Sequence, residues 1–306
     1  MLPAVADSLS FLYVDIARIV QDDTGVCAQI DTTRGTDTVY IPTASLSCLL
    51  LGPGTSITAR ALATLARHGT TVVISGAGAV RAYAGILPDS LTTTWLEHQT
   101  RAWADEQRRL EVATRMYQMR FNQDVPPGTT LQQLRGLEGQ RMKALYKIFA
   151  DQHRIGRFRR NYDPRNWHDQ DPVNQALSAA NTSLYGVVHA AVLAMGCSPA
   201  LGFVHTGKQH SFVYDIADLY KARTTIPLAF SLHASTNPES DARRQLRDQM
   251  RLIKLLPNIV KDIQALLDPE TDWDEDTTER TDVPLVDLWD PKTGTVPAGT
   301  NYAGAD

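Results

Sequence analysis

The sequence predicts an α+β chain: a small β-rich N-terminal domain, then a larger all-helical domain, then a flexible acidic tail. Three observations predict this. Residues 1–86 alternate β-branched runs with turn signals. Beyond that stretch the apolar period becomes helical. After Asp268 the chain is polar, acidic and rich in Thr, Pro and Gly. The expected boundaries are 1–88, 89–267 and 268–306. A chain of 306 residues has room for two domains, and 43% hydrophobic against 21% charged residues excludes disorder throughout.

Taken in order, strands are expected over 11–20, 26–32, 38–41 and 70–75, between turns at Asp23-Thr24-Gly25 and Gly52-Pro53-Gly54. A helix over 57–68 interrupts them, with Gly69 as its C-terminal stop. Gly76-Ala77-Gly78 is expected to turn a hairpin between strands 70–75 and 80–84, because the glycines lack the rest of a dinucleotide fingerprint. The texture changes at Ile86-Leu87-Pro88-Asp89-Ser90. Helices over 91–121, 130–153 and 172–195 follow, the first two parted by Pro126-Pro127-Gly128. In the tail, residues 283–289 are apolar and extended, since Pro284 excludes a regular helix.

Composition narrows the class. Cys27, Cys48 and Cys197 are far apart and form no CxxC, so neither a disulfide framework nor a zinc site is expected, and a reducing cytoplasm fits. The opening MLPAVADSLSF lacks a basic region followed by an apolar run, so no signal peptide is expected. No stretch is expected to reach the ~20 apolar residues of a membrane span. The net charge of −4 hides two opposite parts. Residues 268–306 hold 11 acidic and two basic residues, a net of −9; the body holds 23 acidic and 28 basic residues, a net of +5. Of the 30 basic residues 23 are Arg, whose planar fork suits phosphate.

The chemistry concentrates at two places. Over 131–151, Leu131, Leu134, Met142, Leu145 and Phe149 define one helix face, and its gap is filled by Glu138. A carboxylate on a buried stripe needs a cation or a donor. The ordinary alternative is a salt bridge to one of the many Arg residues. The second place is 202–218. If 211–223 is helical, Asp215 and Asp218 share a face, and such a pair calls for a nearby cation. His205 lies on the glycine-bearing loop just before. Taken singly, His205 could be an ordinary loop histidine and the Asp pair a solvated face. Glu138, His205, Asp215 and Asp218 together offer one imidazole and several carboxylate oxygens, a set that suits Mg²⁺ or Mn²⁺. Gly202 to Lys208 also matches most of a phosphate-loop pattern, but Gln209 stands where a magnesium-binding hydroxyl belongs.

The basic side has two stretches. Arg154, Arg157, Arg159, Arg160 and Arg165 interleave with Phe158, Tyr162 and Trp167, a mixture that tracks phosphates and stacks bases. Arg243, Arg244, Arg247, Arg251 and Lys254 fall at helical spacing, with a plain solvated surface as the alternative.

The segments LRGLEGQRMKALY around Glu138, NQALSAANTSLYG at 174–186 and GFVHTGKQHSFVYDIADLYK at 202–221 resemble the CRISPR-associated integrase family, Cas-one, most closely its subtype I-E branch. The resemblance covers almost the whole chain. It implies a metal-dependent DNA integrase that inserts spacers into a CRISPR array. The metal would be held by Glu138, His205 and Asp218, with Asp215 as an additional acidic residue. Tyr185 falls on a motif tyrosine near the site, Lys208 on a basic residue beside the DNA, and Arg81 on a DNA-backbone contact. The resemblance further implies a homodimer built through the N-terminal domains, two such dimers flanking a dimer of the smaller partner Cas-two. Residues 283–289 are expected to dock on that partner as an added strand. Two other readings stay open: a metal-dependent nuclease for branched DNA, and a catalytically silent DNA-binding scaffold.

Overall fold

The structure, a computed structural model, describes residues 11–43, 46–77, 82–88, 93–161, 170–252, 255–268, 288–290 and 294–296. Two compact units emerge, Met1–Trp273 and Asp274–Asp306.

The first unit opens with two four-stranded sheets. One has the order β1 (Phe11–Val14), β5 (Cys48–Leu51), β7 (Thr71–Ser75), β8 (Ala82–Ile86); the first three run parallel and β8 returns antiparallel. The other is a meander of β2 (Arg18–Gln21), β3 (Val26–Thr32) and β4 (Gly35–Tyr40), with β6 (Ser56–Ile57) parallel to β2. Helix α1 (Ala59–Arg67) is capped by Thr58, whose hydroxyl accepts the Ala61 N–H, and ends before Gly69 at φ 77°. The antiparallel pairing of β7 with β8 agrees with a hairpin, although residues 78–81 lie outside the described residues.

The single strand expected over 11–20 is two strands in different sheets. The chain turns the corner at Ile16, an exposed β-branched residue at φ 48° whose N–H donates to the Pro53 carbonyl at 3.1 Å. Local propensity opposes that backbone, so the two sheets impose it.

The helical part follows with α2 (Thr94–Ala104), α3 (Glu106–Phe121), α4 (Leu131–Gln152), α5 (Pro172–Ala194), α6 (Ser211–Lys221), α7 (Thr225–Ser231), α8 (Pro238–Leu252) and α9 (Leu255–Leu267). The helix expected over 91–121 is therefore two. Asp105 breaks it by adopting an extended backbone and accepting the Arg108 N–H at 2.8 Å, an N-cap in the middle of the apolar pattern.

Helix α5 is the spine. Asp171 caps it, and α6, α7, α8 and α9 all pack on it. It also corrects one expectation: it is long and apolar enough to cross a membrane, with mean hydropathy 1.2 over 18 residues, yet 78% of that window is buried inside the fold. A helix apolar all round is the mark of a core as much as of a membrane. Alternate residues of the central strands divide between two cores. Leu49, Leu51 and Val72 pack with Ile19 and Leu65; Cys48, Leu50 and Val73 pack with Ala190 and Ala194 of α5. The sheets and the helices thus share a packed seam.

In the second unit, β9 (Leu288–Asp290) and β10 (Gly294–Val296) form an antiparallel pair. Of the expected docking patch, Leu288 and Trp289 are extended, and 283–287 lie outside the described residues.

Candidate active site

Three helices and one loop converge on a small pocket lined by Met116, Tyr117, Arg120, Glu138, His205, Asp215 and Asp218, among others. The cavity is about 20 Å³, room for one water-sized particle. Helix α4 enters it in a fixed frame because Thr130 and Gln133 form a capping box. Leu134 is buried, and Met142, Leu145 and Phe149 are half-buried against a neighbouring core, so the apolar stripe carries Glu138 inward to 22% side-chain exposure. Helix α6 turns both of its aspartates in: Asp215 is wholly buried and Asp218 is 14% exposed. That excludes a solvated face for the pair.

Asp215 holds the loop that carries His205. Its Oδ2 accepts the N–H groups of Phe203 (2.6 Å) and Val204 (3.0 Å), and its Oδ1 accepts that of His205 at 2.8 Å. The same Oδ1 lies 2.7 Å from His205 Nδ1, which leaves Nε2 facing away. Other side chains grip the loop from outside. The buried Gln99 amide bonds the Ser198 and Leu201 carbonyls and receives the Ser198 N–H; Trp103 and Arg109 both donate to the Gly202 carbonyl. Gly202 is required there by close approach: a Cβ would run into the His205 carbonyl and lie 2.8 Å from Ser211. This glycine thus serves packing and not a phosphate loop, and the segment follows a helix, not a strand.

Opposite the loop lies a cluster of charges. The Arg120 guanidinium contacts Glu138 Oε1 and stands 3.5 Å from Asp218 Oδ2. Tyr117 donates to Glu138 Oε2 at 3.1 Å. Lys221 Nζ pairs with Asp218 Oδ1 at 2.5 Å, off the direction of a well-formed hydrogen bond, and donates to the Tyr185 hydroxyl at 2.7 Å. Burial pushes the Asp218 carboxyl up, but Lys221 and Arg120 outweigh it and hold it below its ordinary value. His205 is lifted chiefly by its bond to Asp215, against burial. Burial, then Glu138, push the Tyr117 phenol up.

Glu138, His205 and Asp218 are therefore brought together as expected, and the donor types suit Mg²⁺ or Mn²⁺. Among the described residues no three such groups stand close enough to hold an ion as placed, and the Arg120 guanidinium reaches both Glu138 and Asp218. The salt bridge weighed as the ordinary alternative for Glu138 is thus present at the same place. Asp215, expected among the acids of the site, has its oxygens committed to the loop.

The remaining expected contacts scatter. Tyr185 borders the site through Lys221 and stacks edge-on with Tyr214. Lys208, Arg157, Arg159 and Arg247 are exposed. Arg243 pairs with Glu239. Arg160 turns inward, donating to Asn174 Oδ1 at 2.8 Å and Ser178 Oγ at 2.9 Å, so its guanidinium ties the loop to α5. Arg81, Tyr162, Arg165, Trp167, Lys254 and the side chain of Arg251 lie outside the described residues. Sequence reasoning missed Arg120, Tyr117, Gln99 and Lys221. Only Lys221 carried a signal, three residues after Asp218 on the same helix.

Residues 118–254, which carry Arg120, Glu138, His205, Asp215 and Asp218 of the pocket, match the family model described as CRISPR associated protein Cas1. "CRISPR-associated endonuclease Cas1 2" of Thermus thermophilus is 42% identical over 311 residues, covering 100% of this chain and 93% of that protein. "CRISPR-associated endonuclease Cas1" of Escherichia coli is 39% identical, covering 85% of each. A solved structure, "Crystal structure of TtCas1-DNA complex", superposes with a TM-score of 0.76 at 43% identity, covering 87% of this chain and 99% of that one. Likeness at this level extends from the sheets through the helices that build the pocket, and the chain belongs to the Cas1 family.

Proposed function

We propose that this chain is a metal-dependent DNA integrase, joining the 3′ end of an incoming duplex to a CRISPR repeat. The observation that carries the reading is the convergence of Glu138, His205 and Asp218 from three separate segments on one ion-sized pocket. The attacking 3′ oxygen forms a bond to phosphorus as the repeat's phosphodiester bond breaks, and the proton lost by the attacking hydroxyl is balanced by one gained at the leaving 3′ oxygen. One bond replaces another, so no nucleotide triphosphate is needed. A bound Mg²⁺ or Mn²⁺ would polarise the phosphate and stabilise charge on the attacking and leaving oxygens. Glu138, His205 Nε2 and Asp218 would hold it. Asp215 keeps His205 in the tautomer that presents Nε2, and Lys221 limits the negative charge facing an incoming phosphate. Positioning and electrostatics then carry the rate.

The test is strand transfer of a 3′-OH duplex into a supercoiled, repeat-bearing plasmid with Mn²⁺. Wild type is expected to give joined product and Asp218→Asn at least ~100-fold less. No joined product from wild type, or undiminished product from the variant, overturns the reading. Nicking without joining would favour the second reading, a nuclease of branched DNA, which the printed name "endonuclease" of the relatives supports.

The reading extends to context. The exposed side chains of Tyr83, Ile74 and Ile86 on the N-terminal sheet would serve a homodimer. Arg157, Arg159, Lys208 and Arg247 would contact DNA phosphates, in a cytoplasmic complex of the subtype I-E kind. Two dimers would flank the smaller partner Cas-two, with Leu288 and Trp289 in the docking strand. Deleting 279–306 should lower affinity for that partner at least ~10-fold by calorimetry; an unchanged affinity removes the docking role.

A further inference from the structure

The Arg120 side chain is 6% exposed and sits between two carboxylates, yet it is poorly satisfied for a permanent buried ion pair. A guanidinium has five donors in a planar fork and usually grips a carboxylate with two of them. Here a single nitrogen reaches both partners, Glu138 and, at 3.5 Å, Asp218. The second terminal nitrogen faces the Met142 thioether at 3.3 Å, a weak acceptor, and Nε has no hydrogen-bond partner among the described residues. Across the site, Asp218 Oδ1 is buried beside Lys221 Nζ at 2.5 Å, with no well-aligned donor among the described residues.

Charge counting sharpens this. Glu138 and Asp218 are balanced by Arg120 and Lys221, so a divalent cation entering with both in place would gain no net attraction from these four groups. Displacing one of the two cations restores a net negative charge for the ion to meet. Lys221 is held by Asp218 and Tyr185 together and does not lie between the carboxylates. Arg120 does lie between them, and it is held mainly through one nitrogen.

We propose that Arg120 is the metal's internal stand-in: its guanidinium occupies the ion's position while the site is metal-free and is displaced when a divalent cation binds. This rests on the metal reading above. The ion competes with a tethered cation, so its apparent affinity is reduced by the fraction of molecules in which Arg120 is in place.

The experiment is a calorimetric Mn²⁺ titration of the full chain without DNA, on wild type, Arg120→Gln and Asp218→Asn. A parallel Mg²⁺ titration of the wild type follows the Arg120 Nε–H resonance by NMR. The Arg120→Gln chain is expected to bind Mn²⁺ at least ~10-fold more tightly than wild type. The wild-type Arg120 resonance is expected to shift in step with Mg²⁺ occupancy. Equal or weaker Mn²⁺ binding by Arg120→Gln, with binding lost in Asp218→Asn, overturns the stand-in and leaves the metal reading intact. No binding by either wild type or Arg120→Gln overturns both. Should Arg120→Gln fail to fold, the wild-type titration decides: an unmoved resonance at saturating Mg²⁺ overturns the proposal.

Discussion

The two walls of the pocket are built on opposite terms. On the loop side the buried side chains are well matched: Asp215 takes three backbone N–H groups and an imidazole, and Gln99 serves the loop's carbonyls from behind. On the helix side, Arg120 Nε and Asp218 Oδ1 are left without aligned partners among the described residues. The first wall is finished by folding. The second is left open, with charge gathered at high local density and few hydrogen bonds to fix it. A site that holds one ligand rigidly while exchanging another has use for both.

The sharpest way to break this comparison is Asp215→Ala. It leaves one buried and two partly buried N–H groups without an acceptor, and a cost of about 3 kcal/mol in urea unfolding is expected. A cost below about 1 kcal/mol would mean the loop side is no better determined than the helix side. Next comes pH. His189 of α5 lies behind the loop side, its ring 4.7 Å from that of His210, with a hydrogen bond to the Ala82 backbone. Burial, then His210, lower its pKa to about 4. Between that value and the ordinary ~6.5 the unfolded chain takes up a proton that the folded chain refuses, so stability is complete above ~6.5 and falls with pH down to about 4. His189 contributes a loss of about 2 kcal/mol between pH 7 and pH 5, partly offset in thermal or urea unfolding by His205, whose raised pKa acts with the opposite sign, and His189→Gln should remove the His189 contribution. An unchanged slope in the variant would assign the acid sensitivity elsewhere. The smallest effect is expected on the open wall. Asp218→Asn, beyond its loss of joined product, should cost only about 1 kcal/mol of stability: the amide gives up the ion pairs with Lys221 and Arg120 but sheds the burial cost of a carboxylate, and the two cations keep Tyr185 and Glu138 as partners. A cost matching that of Asp215→Ala would erase the distinction.

Much of this was legible in sequence where period and spacing are local. The stripe of Leu134, Met142, Leu145 and Phe149 marked Glu138 as inward, and the three-residue step of Asp215 and Asp218 marked a shared face. Roles were harder to read than positions. Asp215 looks like a second acid of the site, and only the fold reveals that its oxygens are taken by N–H groups 10 to 12 residues earlier. Arg120 was invisible because it is one of 23 arginines and meets its partners across three helices, at separations of 18 and 98 residues. Arg160 misled for the opposite reason. Its aromatic neighbours suggest an outward, base-stacking loop, but Asn174 and Ser178 on the first turns of α5 offer buried acceptors that draw it in. The corner at Ile16 runs against local preference altogether, since it is set by which sheet each flanking strand joins.

Helix α5 has a consequence for anyone recombining this protein with a relative. Ala190, Leu193 and Ala194 face the sheet, with Leu193 filling the space that a side chain at Gly85 would need, while Leu184 and Val188 of the same helix back the core beneath α6. A crossover placed in the connection before α2 would keep each half's chain intact and still mismatch their seam. Chimeras that carry the sheet-facing residues of α5 along with the N-terminal strands should assemble where simple half-exchanges do not, because the seam is inherited from a helix about a hundred residues downstream of the sheet it fits.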